Sequence, residues 1–355
     1  MVNVIPLIDG NYLNMTKLNI LIVITLILIM PVSHAKEINI SDLPLDEKIH
    51  QMIIIPAENY YDKDVGGIFF GTGKKLDSSK EYEREIKILQ DKSKIKMFVA
   101  ADLEGYWNPF DKFYTGKAFG DIANESEAYI LGEEHGRILE SMGFNLDFSP
   151  VAETRNTVWP GRSFSGSTNE VELKVKAYIE GLHKKGILAT AKHYPGGSMV
   201  KNPHYRKYKT EIFDEDIALF DHAINSSVDA IMIGHPVAYG AVDSNSKPSS
   251  VSEEVIFPLR ERFDGLIISD AITMIGLRVQ YLGRFDKIYI DLIKAGNDLI
   301  LDLPLRIFPF SSNGRKIEKR VQNVIRAVER GEITEKRIDE SVIRILRAKG
   351  YEVLI

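Results

Sequence analysis

Eight short apolar runs limit how this chain can fold. They are MIIIPA (52–57), GGIFFG (66–71), KMFVAAD (96–102), FNLDFSP (144–150), GILATAKHY (186–194), AIMIGHP (230–236), GLIISDA (265–271) and DLILDLP (298–304). Each is rich in Ile, Val, Leu or Phe, and most are too short for a helix, so they read as buried strands. Amphipathic segments alternate with them. ESEAYILGEEHGRILESMG (125–143) and NEVELKVKAYIEGLHKKG (169–186) each end on a glycine suited to a helix C-cap. EEVIFPLRERF (253–263), FDKIYIDLIKAG (285–296) and two closing helices, GRKIEKRVQNVIRAVERG and TEKRIDESVIRILRAKG, continue the pattern. Eight strands alternating with helices predict an α/β fold, a single-domain (β/α)8 TIM-type barrel. The competing doubly wound sheet needs a glycine-rich dinucleotide turn, and none follows any of the runs. The first two runs sit oddly in this pattern, because no full helix fits between them.

Composition narrows the chemistry. A net charge of −5 without a basic stripe argues against a nucleic-acid partner. The absence of cysteine excludes thiolate catalysis, disulfides and Cys-ligated metal sites. No H-x-H occurs, which argues against a metal-dependent barrel hydrolase, and no cofactor is implied. The N-terminus reads as an address. From Met15, a lysine precedes an apolar run from Ile20 to Met30, and Ser33 and Ala35 supply the small residues of a cleavage site. Residues 1–35 are therefore expected to be a signal peptide, with Met15 a possible initiator, and residues 36–355 the catalytic barrel. The apolar run is about half the ~20 residues that span a bilayer, so export with only transient membrane contact is expected, to a periplasmic or secreted location. An uncleaved anchor is the alternative.

In such a barrel the working groups stand at the C-terminal ends of the strands. Those ends carry Asp102, Asp147, Lys192 with His193, His235, Asp270 and Asp302, at successive gaps of 45, 45, 43, 35 and 32 residues from Asp102. Each gap is about one βα unit. Asp270 emerges from GLIIS into AITM; it is either a working carboxylate or an N-cap for the next helix. Lys192 and His193 are fixed donors for hydroxyls or an anion, or else a buried cation satisfied by a rim carboxylate. Arg162, in PGRSFSG, offers a bidentate guanidinium clamp or a plain surface arginine. ADLEGYW (101–107) sets Asp102 and Glu104 beside Tyr106 and Trp107, a combination that suits sugars or a packing cluster equally.

Several of these segments are collinear with one family. DLEG (102–105), GFNLDFSPVAE (143–153), GRSFS (161–165), KHYPGG (192–197), the stretch 231–277 ending in IISDAITMIGL, and ESVIRILRAKG (340–350) together resemble the family 3 glycoside hydrolases, especially single-domain β-N-acetylhexosaminidases. The resemblance covers most of residues 45–350. It implies a retaining double displacement with Asp270 as nucleophile. It also implies that Asp102, Arg162, Lys192 and His193 grip the sugar, with Met274 just after the nucleophile. His204 falls where this branch keeps its general acid/base on a mobile loop. The loop departs from the branch's D-x-H arrangement, reading Asn202-Pro203-His204. An amide at 202 can orient the imidazole but lacks the charge that would raise its pKa, and Lys201, Arg206 and Lys207 would lower it further. Tyr106-Trp107 also stands where the family usually has glycine then arginine.

The expected activity is hydrolysis of terminal β-N-acetylglucosaminides from cell-wall or chitin-like sugars, with a small carbohydrate as the partner. Two other readings stay open: a sugar-binding barrel with impaired turnover, and a phosphorolytic or transglycosylating variant in which the cationic loop 201–209 recruits an anionic acceptor.

Overall fold

The computed structural model describes residues 36–71, 75–154, 158–197, 201–303 and 314–355. The expected signal segment, residues 1–35, lies outside the described residues. All eight apolar runs contain a strand: β1 (Ile53–Pro56), β2 (Gly67–Phe69), β3 (Phe98–Ala101), β4 (Leu146–Asp147), β5 (Leu188–Tyr194), β6 (Ala230–Ile233), β7 (Leu266–Ser269) and β8 (Ile300–Leu301). They are parallel, each paired with its neighbour in sequence, and β8 returns to β1 through the register Ile300↔Ile53. An isolated bridge between Ile268 and Leu299 links β7 to β8 and closes the ring. Residues Glu37–Ile355 form one compact unit.

The strands read as near-continuous apolar runs because helices cover the outside while side chains fill the inside. Ile53, Ile54, Ile55, Val99, Ile231 and Ile267 are fully buried. β1 and β2 are parallel neighbours joined by a single 3₁₀ turn, Ala57–Asn59, and a loop. This explains why no helical pattern fits between the first two runs.

The helices begin and end largely where their caps dictate. Asn124 caps Glu125–Met142, whose C-cap Gly143 takes a left-handed φ of 90°. Ser167 and Glu170 form a capping box at the start of Thr168–His183. That helix stops three residues before Gly186, with Lys184 at the C-cap, so the glycine serves the following turn instead. Thr334 caps the last helix, Glu335–Ala348.

One addition to the barrel positions the site. Lys209–Ile212 and Val237–Gly240 form a separate two-stranded parallel ribbon after β5 and β6. It anchors the C-terminal end of the 201–208 segment above the barrel mouth, with Val237 N–H donating to the Tyr208 carbonyl at 2.9 Å. Among the described residues, no helix is long and apolar enough to cross a membrane.

Candidate active site

A cavity of about 390 Å³ opens at the C-terminal ends of the strands. Asp102, Arg162, Lys192, His193, Asn202, His204, Asp270 and Met274, all singled out from the sequence, line it. The structure thus brings together groups from β3, β5, β7 and two loops.

The floor on one side is an ion network. Glu104 is fully buried and receives a bidentate clamp from Arg162, Nε to Oε2 at 2.7 Å and Nη2 to Oε1 at 2.8 Å. Lys192 Nζ lies 2.5 Å from the same carboxylate and 2.7 Å from Asp102 Oδ1. Burial alone would push the Glu104 carboxyl up, but Arg162 and Lys192 outweigh it and hold it down at about 2. Asp102 and Glu104 are therefore not a pair of cooperating acids. Glu104 is the counterion that keeps two cations at the mouth, while Asp102, with 38% of its side chain exposed, faces the cavity. Lys192 is a satisfied buried cation and a cavity-lining donor at once.

Asp270 follows β7, and its backbone N–H donates to the Ile233 carbonyl at 2.9 Å. Its side chain does not cap a helix, since the next one, Ile275–Arg278, begins after Met274 and has no side-chain cap. Instead Oδ1 accepts from the Ala271 N–H at 2.7 Å, and Oδ2 lies 3.9 Å from His193 Nε2. Burial pushes the Asp270 carboxyl up; His193, His235, the Ala271 N–H and His204 more than offset this and leave it below the usual aspartate value. The ionised form is thereby favoured although the side chain is nearly buried.

His193 is oriented by a residue that the sequence reading passed over. Its Nδ1 donates to Glu153 Oε1 at 2.7 Å, which turns Nε2 toward Asp270. Glu153 ends the segment GFNLDFSPVAE, and that position beyond a strand end was the available signal. His235 also lines the cavity, yet both its nitrogens are taken. Nε2 donates to the Ala271 carbonyl at 3.1 Å, so Nδ1 accepts from the Ser250 hydroxyl at 2.7 Å. It fixes the segment after Asp270 and is not placed to move a proton. Tyr208, buried in the same wall, is kept protonated because burial pushes its hydroxyl up, helped by Glu153 and Asp270.

Two strand-end aspartates do not join the site. Asp147 is fully buried, accepting from the Leu103 N–H at 2.9 Å and from Ser149, and burial pushes its carboxyl up to about 7. Asp302 is fully buried too, accepting from Tyr289 at 2.7 Å and pairing with Arg320. Among the described residues, no three His, Asp or Glu side chains converge as a metal site.

The loop carrying His204 is docked beside the segment that follows Asp270. The carbonyls of Pro203 and His204 accept from Gly276 N–H at 3.1 Å and Ile275 N–H at 3.4 Å. Residues 198–200, in the same loop, lie outside the described residues. Asn202 Oδ1 accepts from the His204 backbone N–H at 3.0 Å, which identifies that atom as the amide oxygen. The same oxygen lies 2.9 Å from His204 Nδ1, so Nδ1 carries a hydrogen and Nε2 is left to exchange a proton. The imidazole pKa is lowered, first by burial and then by Arg162 and His193, against an opposing pull from Asp270 and Asp102. The direction is the one expected, but the source differs. Lys201, Arg206 and Lys207 do not line the cavity, and Lys207 bonds Gln280 instead.

A parallel barrel whose mouth combines an aspartate, three histidines and an Arg–Glu–Lys ion network has the layout of a barrel glycosidase. Residues 44–348 match the glycosyl hydrolase family 3 N terminal domain, and the chain belongs to that family. It is 27% identical over 311 residues to a beta-N-acetylglucosaminidase/beta-glucosidase of Cellulomonas fimi, covering 81% of this chain and 52% of that protein. A beta-hexosaminidase of Haemophilus influenzae is 27% identical over 258 residues, 67% of this chain and 72% of its own. The chain thus spans about half the length of the Cellulomonas fimi relative. Among solved structures, a family 3 glycosyl hydrolase from Mycobacterium smegmatis has the same fold, with a TM-score of 0.78 and 22% identity over 88% of this chain and 99% of that one. A family 3 beta-N-acetylglucosaminidase from Paenibacillus sp. aligns with a TM-score of 0.74 and 25% identity, over 86% of this chain and 62% of that one.

Proposed function

We propose that this chain is an exported retaining β-glycosidase acting on terminal β-N-acetylglucosaminides. The observation that carries the reading is the placement of Asp270 in the cavity wall at the end of β7, with Oδ1 on the Ala271 N–H and Oδ2 3.9 Å from His193 Nε2. An oxygen of Asp270 bonds to the anomeric carbon as the bond to the leaving oxygen breaks, and His204 Nε2–H protonates that oxygen. In the second step neutral Nε2 takes a proton from water, whose oxygen displaces Asp270, so the sugar keeps its β configuration. Asp102, Arg162, Lys192 and His193 hold the sugar during both steps. The Haemophilus influenzae relative, a beta-hexosaminidase, supports an N-acetylhexosaminide as substrate, and the Cellulomonas fimi relative, a beta-N-acetylglucosaminidase/beta-glucosidase, is compatible with it. The export proposal rests on residues 15–35 alone.

The neutral partner of His204 has a consequence. A lowered imidazole pKa favours the base form needed in the second step and starves the first step of acid. Substrates with poor leaving groups should therefore turn over best below neutral pH. The same neutral dyad favours a second reading, a barrel that binds sugar with little turnover. Phosphorolysis finds less support, because the loop cations that would recruit phosphate lie away from the cavity. A panel of aryl β-glycosides, each assayed with and without phosphate, tests all three. Hydrolysis of the N-acetylglucosaminide with a β-configured first product by NMR, without phosphate stimulation, is the expected result. An α-configured first product would remove Asp270 from its role, and saturable binding without product would select the second reading.

A further inference from the structure

The chain has two tryptophans, Trp107 and Trp159, and both line the cavity. Their ring centroids are 6.1 Å apart and their planes meet at 76°, forming an open corner. Trp107 is 38% exposed and lines the cavity, so its ring is accessible to a ligand there. On its outer side the Tyr106 ring meets it edge-on at 5.5 Å. On the inner side Trp159 is backed by the Arg162 guanidinium at 5.1 Å and meets the His204 ring at 6.0 Å. Tyr205, 52% exposed, continues the row beyond His204.

This row is held in place. Glu104 is clamped by Arg162 and Lys192, and its N–H donates to the Trp107 carbonyl at 3.0 Å, closing a tight turn. Gly105, inside that turn, has a φ of 77°, and a Cβ there would fall 2.0 Å from the Lys117 carbonyl oxygen. The same ion pairs that grip one sugar thus also aim Trp107. Because the row of rings touches His204, it lies on the side of the cavity where the leaving group departs.

We propose that Trp107 and Trp159 form the subsite for the leaving sugar, which stacks the C–H face of an uncharged β-linked pyranose. The chemistry on this side selects against an anionic aglycone: the cavity-lining cations Arg162 and Lys192 are already paired with Glu104. The proposal rests on the reading of Asp270 and His204 as the catalytic pair, and adds the identity of the group that leaves.

The test uses two substrates and one spectroscopic signal. N,N′-diacetylchitobiose needs the leaving-sugar subsite, whereas the β-glycosyl fluoride of N-acetylglucosamine carries no second ring. In Trp107→Ala the ratio of kcat/KM for disaccharide over fluoride should fall about tenfold, chiefly through KM, and Trp107→Phe should restore most of it. Equal losses on both substrates would overturn the proposal and leave Trp107 a packing residue. Because no other tryptophan exists, intrinsic emission reports on this corner alone. Thio-linked diacetylchitobiose, which resists hydrolysis, should shift the emission of the full chain more than N-acetylglucosamine does. Flat emission in a protein that hydrolyses the fluoride would sink the subsite and spare the catalytic reading. An emission shift in a protein that hydrolyses neither substrate would do the reverse. Neither signal nor turnover would remove both.

Discussion

Each end of the barrel holds a fully buried carboxylate among cations, and the two are built differently. At the N-terminal end, Asp298 accepts from the Ile267 N–H at 3.0 Å and the Ser341 hydroxyl at 2.6 Å. Arg260 pairs with it directly, and Arg344 at 3.3 Å and Arg337 at 4.0 Å complete the cluster. Those contacts tie β7, β8 and the last helix together, and none of them faces the cavity. At the C-terminal end, Glu104 binds Arg162 and Lys192, but the network continues into open space through the half-exposed Asp102. A closed network rigidifies and is costly to break, whereas a network left open on one side holds donors and acceptors ready for a ligand.

Substitutions can break this contrast. The largest effect is expected at the open end, where Asp270→Ala should lower kcat on the N-acetylglucosaminide by on the order of 10⁴-fold. A loss under tenfold would mean that another group attacks the sugar. At the closed end, Asp298→Ala leaves buried guanidinium groups unpaired and should cost about 3–5 kcal/mol in chemical denaturation. The kcat/KM of its folded fraction should stay within about twofold of the parent. A selective loss of activity would show that the two ends are not separable.

Glu104→Gln sharpens the comparison, because Glu104 serves both stability and site. Removing its charge should cost roughly 2–3 kcal/mol, since Arg162 loses its paired carboxylate and Lys192 keeps only Asp102. The folded carboxyl is held at about 2 against an ordinary 4.5, so its contribution is fully present above about 4.5 and fades as pH falls toward 2. The stability gap between parent and variant should therefore narrow across that acid window. A gap independent of pH would argue that the carboxylate charge is not what matters.

The smallest effect concerns the neutral dyad. Asn202→Asp restores a charge beside His204 and should move the alkaline fall of kcat/KM on poor leaving groups upward by about one pH unit or more. An unchanged profile would separate His204 from the acid step.

Much of this was legible in the sequence, for identifiable reasons. Strands buried on both faces must be apolar throughout, so β1 to β8 announce themselves even without a helix between the first two. Asp102, Lys192, His193 and Asp270 sit at strand ends inside collinear motifs, which is why they could be named. Strand-end position alone did not suffice. Asp147 and Asp302 occupy equivalent places, yet their side chains are consumed by Ser149 and the Leu103 N–H in one case and by Tyr289 and Arg320 in the other. The pairing of Glu104 with Arg162, 58 residues away, and of Glu153 with His193 depends on loops whose paths no local pattern encodes. Trp159 was invisible for the same reason.

The central claim is that Asp270 becomes covalently bonded to the sugar. An activated 5-fluoro β-N-acetylglucosaminide, whose fluorine slows the second step, should accumulate on the enzyme, and peptide mass spectrometry after proteolysis should place the adduct on Asp270. An adduct on another carboxylate, or steady turnover of the fluoro sugar to an α-configured product with no adduct, would contradict the account.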